Sequence, residues 1–498
     1  MLRPLYVGLS VGLLAGCVQS RTSGPRTYFI DYTVGDDRDP GSKDRPWQHC
    51  PGMQPFQGSY THAVGDRFIF RGGVRWPNTA LPLWITLGGN SNNWDYYGVD
   101  ASWHVGSVWT RPLFDAEGIA FTNHGGLFGN VIQVKPRTGS ILANYVIVDS
   151  LEIKGHVWND PAPTSIMDGF GLVFHNAYNG LATNLFIHDW VVRTAKDSKF
   201  GGIGTANKKG NISAINCIVQ APAEVDGLFK NAGNTSGCGT YGVNNVEGCE
   251  IIGTTQGIWA GYNVLGNIVR HGGDSFRSDA HENGMWIQND AHVEGNLLLG
   301  WRQGVGCYFL PGWGPRGTNR IDVVNNVFES NPQINLSGQS NPDISNEIYF
   351  VNNVVANGAV VSLGTTKGGA PFKTFVFQNN ILVGTTVATL SRVQLGSNYT
   401  NDLNIHWTAA EAEGQGLSTN HWYRACEPIS DLAGGLPFPS ITIVDAMRVL
   451  RHPLEWTKGA HELSPAAFSR RPFLRRTFIE EETLAGEDLP YPEPEPEP

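Results

Sequence analysis

One short pattern returns along this chain from about residue 145 onward, and few folds can accommodate it. It runs apolar, polar, apolar, then a small residue or Asn, then two or three apolar residues. Ala214-Ile215-Asn216-Cys217-Ile218-Val219, Val264-Leu265-Gly266-Asn267-Ile268-Val269 and Phe350-Val351-Asn352-Asn353-Val354-Val355 are three of its copies. Aligned on Ser150, Asn184, Cys217, Cys249, Asn267, Asn296, Asn326, Asn353 and Asn380, the copies step by roughly 18 to 34 residues, the period of a stacked solenoid coil. Each copy is too short for a helix, and its β-branched residues favour a strand.

A second strand signal, opened by glycine, follows most copies: Gly171-Leu172-Val173-Phe174, Gly227-Leu228-Phe229, Gly257-Ile258-Trp259, Gly284-Met285-Trp286-Ile287 and Gly304-Val305-Gly306-Cys307. Two or three short strands per coil, turned by Asn and Gly, describe a parallel β-helix, an all-β solenoid. In the aligned column an Asn amide can bond backbone at a tight turn and pair with the Asn of the next coil. The competing fold is a β-sandwich with Asn-Asn turns; repetition of the pattern in one register favours the solenoid. With only 16% charged residues, 61 Gly and 15 Trp, the chain is neither disordered nor a coiled coil. A net charge of -10 also excludes a binder of phosphate backbones, so nucleic acid is not an expected partner.

Tyr28-Phe29-Ile30-Asp31, the Gly35-Asp36-Asp37-Arg38-Asp39-Pro40-Gly41 turn, Pro46-Trp47 and Gly65-Asp66-Arg67-Phe68-Ile69-Phe70 are similar to the opening of many β-helix proteins. Gly459-Ala460-His461-Glu462 resembles the short strand that closes them. Together with the repeats, these residues make the chain resemble the pectin-lyase-like superfamily of right-handed parallel β-helices, carbohydrate-active proteins that act outside the cell. The resemblance covers about 27–465 and implies fold better than reaction, because that scaffold hosts lyases, hydrolases, epimerases and adhesins. Beyond it, 466–498 passes from an Arg cluster to a Glu-Pro alternation ending at Pro498, which is expected to be a disordered, solvated tail.

At the other end, Arg3 precedes an apolar run that closes on Leu14-Ala15-Gly16-Cys17. This resembles a bacterial lipoprotein signal: 1–16 would be removed, Cys17 lipidated, and 17–26 would link the anchor to the helix. Val18, rather than Asp, then implies the outer membrane, with the protein on its periplasmic or outer surface. Acyl chains buried in the bilayer would supply the membrane contact. The alternative is an ordinary secretory signal. The remaining cysteines match neither a zinc site nor a redox pair in spacing, and are expected to be buried thiols.

Chemistry concentrates in one interval, 271–282, where Arg277, Asp279, His281 and Glu282 precede the Trp286 strand. Neighbouring coils add Asp226 and Lys230 on one side and Arg302 and Tyr308 on the other. Trp259 and Trp286 share one offset after their glycines, so they are expected to form an outward aromatic strip on which sugar rings stack. Asp279-Ala280-His281-Glu282 resembles the Asp-Pro-His-Glu/Asp motif of mannuronan C5-epimerases, with Ala in place of Pro and Phe276 where that family has Tyr. The resemblance implies uronate chemistry. In a lyase His281 would take the C5 proton, while Arg277, Lys230 or a bound Ca²⁺ neutralises the substrate carboxylate. Asp226, Asp279 and Glu282 could instead serve a glycoside hydrolase, which needs two carboxyls astride the bond. A C5-epimerase, or a glycan-binding surface protein without catalysis, also remains open. Asp36, Asp37 and Asp39 lack the closing acid of an EF-hand and are expected to form a polar turn.

The anchor is open to direct test. Cys17→Ser should release the protein from membranes or leave its precursor uncleaved; a fully processed variant that partitions like the wild type would overturn the lipoprotein assignment.

Overall fold

Short β-rich segments with buried alternate residues cannot stand alone, and here they are covered by winding one upon the next. The computed structural model describes residues 24–119, 129–136, 143–158, 169–175, 177–192, 200–205, 210–222, 237–259, 261–270, 283–288, 290–300, 307–310, 318–329, 333–338, 345–357, 360–366, 372–389 and 399–415. Among the described residues the strands form three long sheets of thirteen, twelve and eleven strands. Their pairings are parallel, each strand bonding to its counterpart one coil away. The chain visits the three in rotation. Asn211–Ile215 lies in the first sheet, Ile218–Gln220 in the second and Cys238–Tyr241 in the third, before Asn245–Glu247 re-enters the first. This is the parallel β-helix that the repeats imply. Cys17, the closing Gly459–Glu462 segment and the Pro/Glu tail lie outside the described residues.

Inside the coil, an apolar side chain recurs at the same position from turn to turn. The first sheet contributes Ala214, Val246, Val264, Val293, Val323, Phe350 and Phe377 in register. The second contributes Ile187, Val219, Ile251, Val269, Leu298 and Phe328. All of these are buried, and each such side chain removed from water contributes roughly 1.5–3 kcal/mol. Aromatic rings close the N-terminal end, where Tyr28 stacks on Trp47 at 4.4 Å and Phe68 on Tyr97 at 4.6 Å. The turn between them is polar, as expected: buried Asp37 accepts from the backbone N–H of His49 at 2.7 Å and of Gln57 at 3.1 Å. Asp36 and Asp39 pair with Arg38 and Arg45.

Passage from the first sheet to the second takes two residues and uses two different side-chain columns. The first position has positive φ, between 52° and 66°, at Ser150, Asn184, Asn216, Gly248, Gly266, Gly295, Asn325, Asn352 and Asn379. That left-handed conformation explains the Gly and Asn found there. The second position points inward and carries Cys217, Cys249, Asn267, Asn296, Asn326, Asn353 and Asn380. Ser150 and Asn184 therefore belong to the first column, one residue before the ladder, and the alignment in sequence slips there; their coils place Leu151 and Leu185 in the inner column. Asn404 extends the inner column by one coil beyond the last sequence copy.

Each ladder amide is saturated. Asn326 Oδ1 accepts from the backbone N–H of Asn296 at 2.9 Å and from Asn296 Nδ2 at 2.9 Å. Asn326 Nδ2 in turn donates to Asn353 Oδ1 at 3.0 Å and to the Val293 carbonyl at 3.0 Å. The same geometry runs from Asn267 to Asn404. At its start two thiols take over: Cys249 Sγ donates to the Ala214 carbonyl at 3.4 Å, and Cys217 N–H donates to Cys249 Sγ at 3.4 Å. Cys50, Cys217, Cys238 and Cys249 are buried free thiols, as expected.

Two stability effects follow. Asn326→Leu leaves the buried Asn296 backbone N–H without its acceptor and the Val293 carbonyl without its donor, and should cost at least ~2 kcal/mol, whereas exposed Asn92→Leu should stay within ~0.5 kcal/mol; equal thermal shifts would contradict the ladder. His156 is fully buried, its Nε2 donating to the Gly201 carbonyl at 2.9 Å, and burial pushes its pKa down to about 3. The unfolded ring takes its proton near pH 6.5, so this stabilisation is present above 6.5 and lost as pH falls toward 3. Denaturant titrations across that window should show His156→Gln with the flatter acid limb.

Candidate functional site

The third sheet places a glycine where its neighbour from the second sheet presses closest. A Cβ on Gly171, Gly202 or Gly257 would come within 2.5–2.7 Å of Ile187, Val219 or Val269. Two residues further on, the strand side chain faces outward. In three successive coils that side chain is aromatic: Tyr241, Trp259 and Trp286, joined in register by parallel pairing. Trp259 and Trp286 lie parallel, with interplanar angle 1° and ring centroids 4.7 Å apart, matching the spacing of bonded strands. Tyr241 meets Trp259 edge-on at 5.0 Å. On the next strand, Cys307–Leu310, the position paired with Trp286 is Tyr308.

Ring orientation alters the expectation of sugar stacking. The two indoles turn their facing π surfaces toward each other, so those surfaces are not open to a sugar ring. Both indoles are half-buried, and Tyr241 is buried with Phe170, Val173 and Cys238. Burial also pushes the Tyr241 phenol up, which keeps its hydroxyl protonated. Beside the strip runs a buried polar column, Cys238, Gln256 and Asn283, in which Cys238 Sγ donates to Gln256 Oε1 at 3.2 Å. Tyr241 was missed in the sequence because the strand of its coil was expected at Gly227–Phe229, outside the described residues, whereas the strand is Cys238–Tyr241. The signal was available: Gly239-Thr240-Tyr241 repeats the offset of Gly257-Ile258-Trp259 and Gly284-Met285-Trp286.

Arg277, Asp279, His281 and Glu282, with Asp226, Lys230 and Arg302, lie outside the described residues. Topology nevertheless assigns them to one kind of connection. Segments 221–237, 271–282 and 300–306 each join a second-sheet strand to a third-sheet strand. The corresponding connection before Trp259 is only 253–255. His281 stands two residues before the strand Asn283–Gln288 that carries Trp286. Among the described residues no group of three or more His, Cys, Asp or Glu is arranged to hold a metal ion, and no helix is long and apolar enough to cross a membrane.

No family model matches the chain, and no curated protein matches it. Among solved structures it is similar to the GH136 lacto-N-biosidase of Eubacterium ramulus, at 14% identity and TM-score 0.41, over 77% of this chain and 68% of that one. It is also similar to a rhamnogalacturonan lyase, at 14% identity and TM-score 0.43, over 89% and 97% of the two chains. A PL6-family alginate lyase, AlyGC, matches at 13% identity and TM-score 0.38, over 70% of this chain and 49% of that one. At such identities the likeness carries nothing about activity.

Proposed function

We propose that the protein is a polysaccharide-degrading enzyme working outside the cytoplasm, a lyase that cleaves a uronate-containing chain by β-elimination. One observation supports this most. The in-register strip of Tyr241, Trp259 and Trp286 lies at a coil with a three-residue connection, 253–255, between two coils whose long connections hold the candidate polar groups. That arrangement suits a substrate path across the third sheet, with the connections 221–237 and 271–282 preceding the strands on either side. A sugar chain crossing it would meet the exposed edges of the aromatic column, and the chemistry falls to Lys230, Arg277 and His281.

In this mechanism Arg277, assisted by Lys230, holds the uronate carboxylate and disperses the charge that develops when C5 loses its proton. His281 takes that proton; its ordinary pKa suits a base near neutral pH. The electron pair of the C5–H bond forms the C4–C5 double bond, the C4–O4 bond breaks, and the departing sugar oxygen is protonated from solvent. Asp279 orients His281, and Glu282 is a further catalytic candidate beside it in sequence. Ca²⁺ bound near the carboxylate would supply the same neutralisation as the Arg277 guanidinium. The lipid at Cys17 would hold the enzyme on the outer membrane, where such polymers are met.

Products from a panel of acidic and neutral polysaccharides test the proposal. New reducing ends accompanied by unsaturated sugars at the new non-reducing ends mark β-elimination, reducing ends alone mark hydrolysis, and retention without products marks a binding protein. On the responsive polymer, His281→Ala and Arg277→Ala should each lower kcat at least ~10²-fold with folding intact. Trp286→Ala should chiefly raise KM. Asp279→Asn should keep measurable turnover in a lyase and almost none in a hydrolase that uses this carboxylate. Near-wild-type rates for both His281→Ala and Arg277→Ala would remove the chemistry from this segment.

A further inference from the structure

The outer face of the first sheet carries a polar column that the proposed lyase does not use. Ser213, Asn245, Asn263, His292, Asp322 and Tyr349 follow one another on successive strands. Asn263 Nδ2 donates to Asn245 Oδ1 at 2.7 Å, and its own Oδ1 remains an acceptor. His292 Nε2 donates to Glu294 at 2.9 Å. Its Nδ1 stands 3.9 Å from Asp322 Oδ2, close enough for an ion pair but too far for a hydrogen bond. Burial opposes charge on this ring, yet the Asp322 and Glu294 carboxylates push its pKa up to about 9. At neutral pH the ring is therefore held as a cation between the two carboxylates.

Arg320 completes the group. Its Nε donates to Asp322 Oδ1 at 2.7 Å, its guanidinium lies over the Tyr349 ring at 4.3 Å, and its backbone N–H donates to Asp290 at 2.7 Å. Its two terminal nitrogens make no hydrogen bond or ion pair among the described residues. Tyr262, Asn263, Asp290, His292, Arg320 and Asp322 line an open depression of about 430 Å³, within the size range of small-ligand sites.

Three carboxylates, Asp290, Asp322 and Glu294, stand against two cations, Arg320 and His292. Their charges nearly cancel, so the depression offers little attraction to a free anion. What it does offer is alternation. Acceptors on Asn263, Asp290 and Asp322 are interleaved with donors on His292 and Arg320, on rungs ~4.8 Å apart, about the width of one sugar ring. Hydroxyls both donate and accept, and a planar carboxylate or guanidinium can hold two adjacent hydroxyls at once. Tyr262 adds an aromatic edge to the rim.

We propose that this depression is a binding subsite for a neutral sugar residue, on a face of the β-helix separate from the aromatic strip of the third sheet. Such a subsite would hold a glycan that carries neutral residues, whatever chemistry the third sheet performs. The proposal stands or falls independently of the lyase assignment, because its test reads binding and not turnover.

Saturation-transfer NMR on the full chain provides that test, with methyl glycosides of glucose, galactose, mannose, glucuronic acid and galacturonic acid as probes. At least one neutral glycoside should receive magnetisation from the protein. Its affinity should fall at least tenfold in Arg320→Ala and in Asn263→Ala and stay unchanged in Trp286→Ala. Asn263 is exposed and, among the described residues, its amide donates only to Asn245, so that variant keeps the ion pairs and the fold, which a thermal melt verifies. The proposal is overturned if no neutral glycoside binds or if only the uronic acids bind. It is equally overturned if neutral binding survives Asn263→Ala in a folded protein, or is lost in Trp286→Ala alone.

Discussion

A buried amide that satisfies its own coil and the next one is the interaction on which the rest of this structure depends. Turning the chain from the first sheet to the second in two residues drives backbone N–H and C=O groups into an interior with no water to receive them. Leaving such groups unpaired costs about 1–3 kcal/mol each, repeated on every coil. From Asn267 to Asn404 one side chain meets the need, accepting a backbone N–H on one side and donating to a carbonyl on the other. Because each amide also grips its successor, the bends are held in line along the axis. The three sheets inherit their register from that line. Trp259 and Trp286 stack at the strand spacing because the coils beneath them cannot slide.

The ladder divides the molecule into two chemical halves. Before Cys217 the inner column is Leu151 and Leu185, ordinary apolar packing; after Cys249 it is amide throughout. Cys217 and Cys249 sit at the border, and each thiol donates to a backbone carbonyl as a ladder amide does. The outer faces vary far more than the core. The second sheet is apolar outside in its later coils, with Leu297, Val327, Val354 and Val383 buried. The first is polar outside at His292 and Asp322, and the third is aromatic at Tyr241, Trp259 and Trp286. A β-helix permits this because residues that hold the coil together face inward, which leaves the outward columns free to differ.

How much could be read in advance follows from which residues have only one job. Asn267, Asn296, Asn326, Asn353 and Asn380 were legible, since an Asn flanked by apolar strands has few other uses. Ser150 and Asn184 misled by one position because the adjacent left-handed residue also favours Asn, and Asn325-Asn326 shows both roles side by side. Trp259 and Trp286 were legible through their glycines, but the orientation of their rings was not, since it depends on the strand spacing beneath them. Tyr241 was hidden by the length of the 221–237 connection. His292, Asp322 and Arg320 escaped notice for another reason. They stand far apart in sequence as single polar residues of ordinary strands, and only winding the chain brings them together. Of the catalytic candidates, the sequence supplies residue types and the topology supplies their common connection.

An asparagine ladder also sets how this protein ages. Asn loses its amide when the backbone nitrogen of the following residue attacks the side-chain carbonyl carbon, closing a five-membered ring that opens to aspartate. In the ladder the following residues are Ile268, Leu297, Val327, Val354 and Ile381, whose branched side chains crowd that approach. Their nitrogens are also occupied, each donating to the carbonyl of the ladder residue one coil earlier. The geometry that saturates each amide thus withholds the nucleophile that would destroy it. One conversion to aspartate would place a negative charge in a stack of carbonyl oxygens and remove the donor to the next coil. A spine whose weakest chemistry is blocked by its own hydrogen bonds keeps its register through long service.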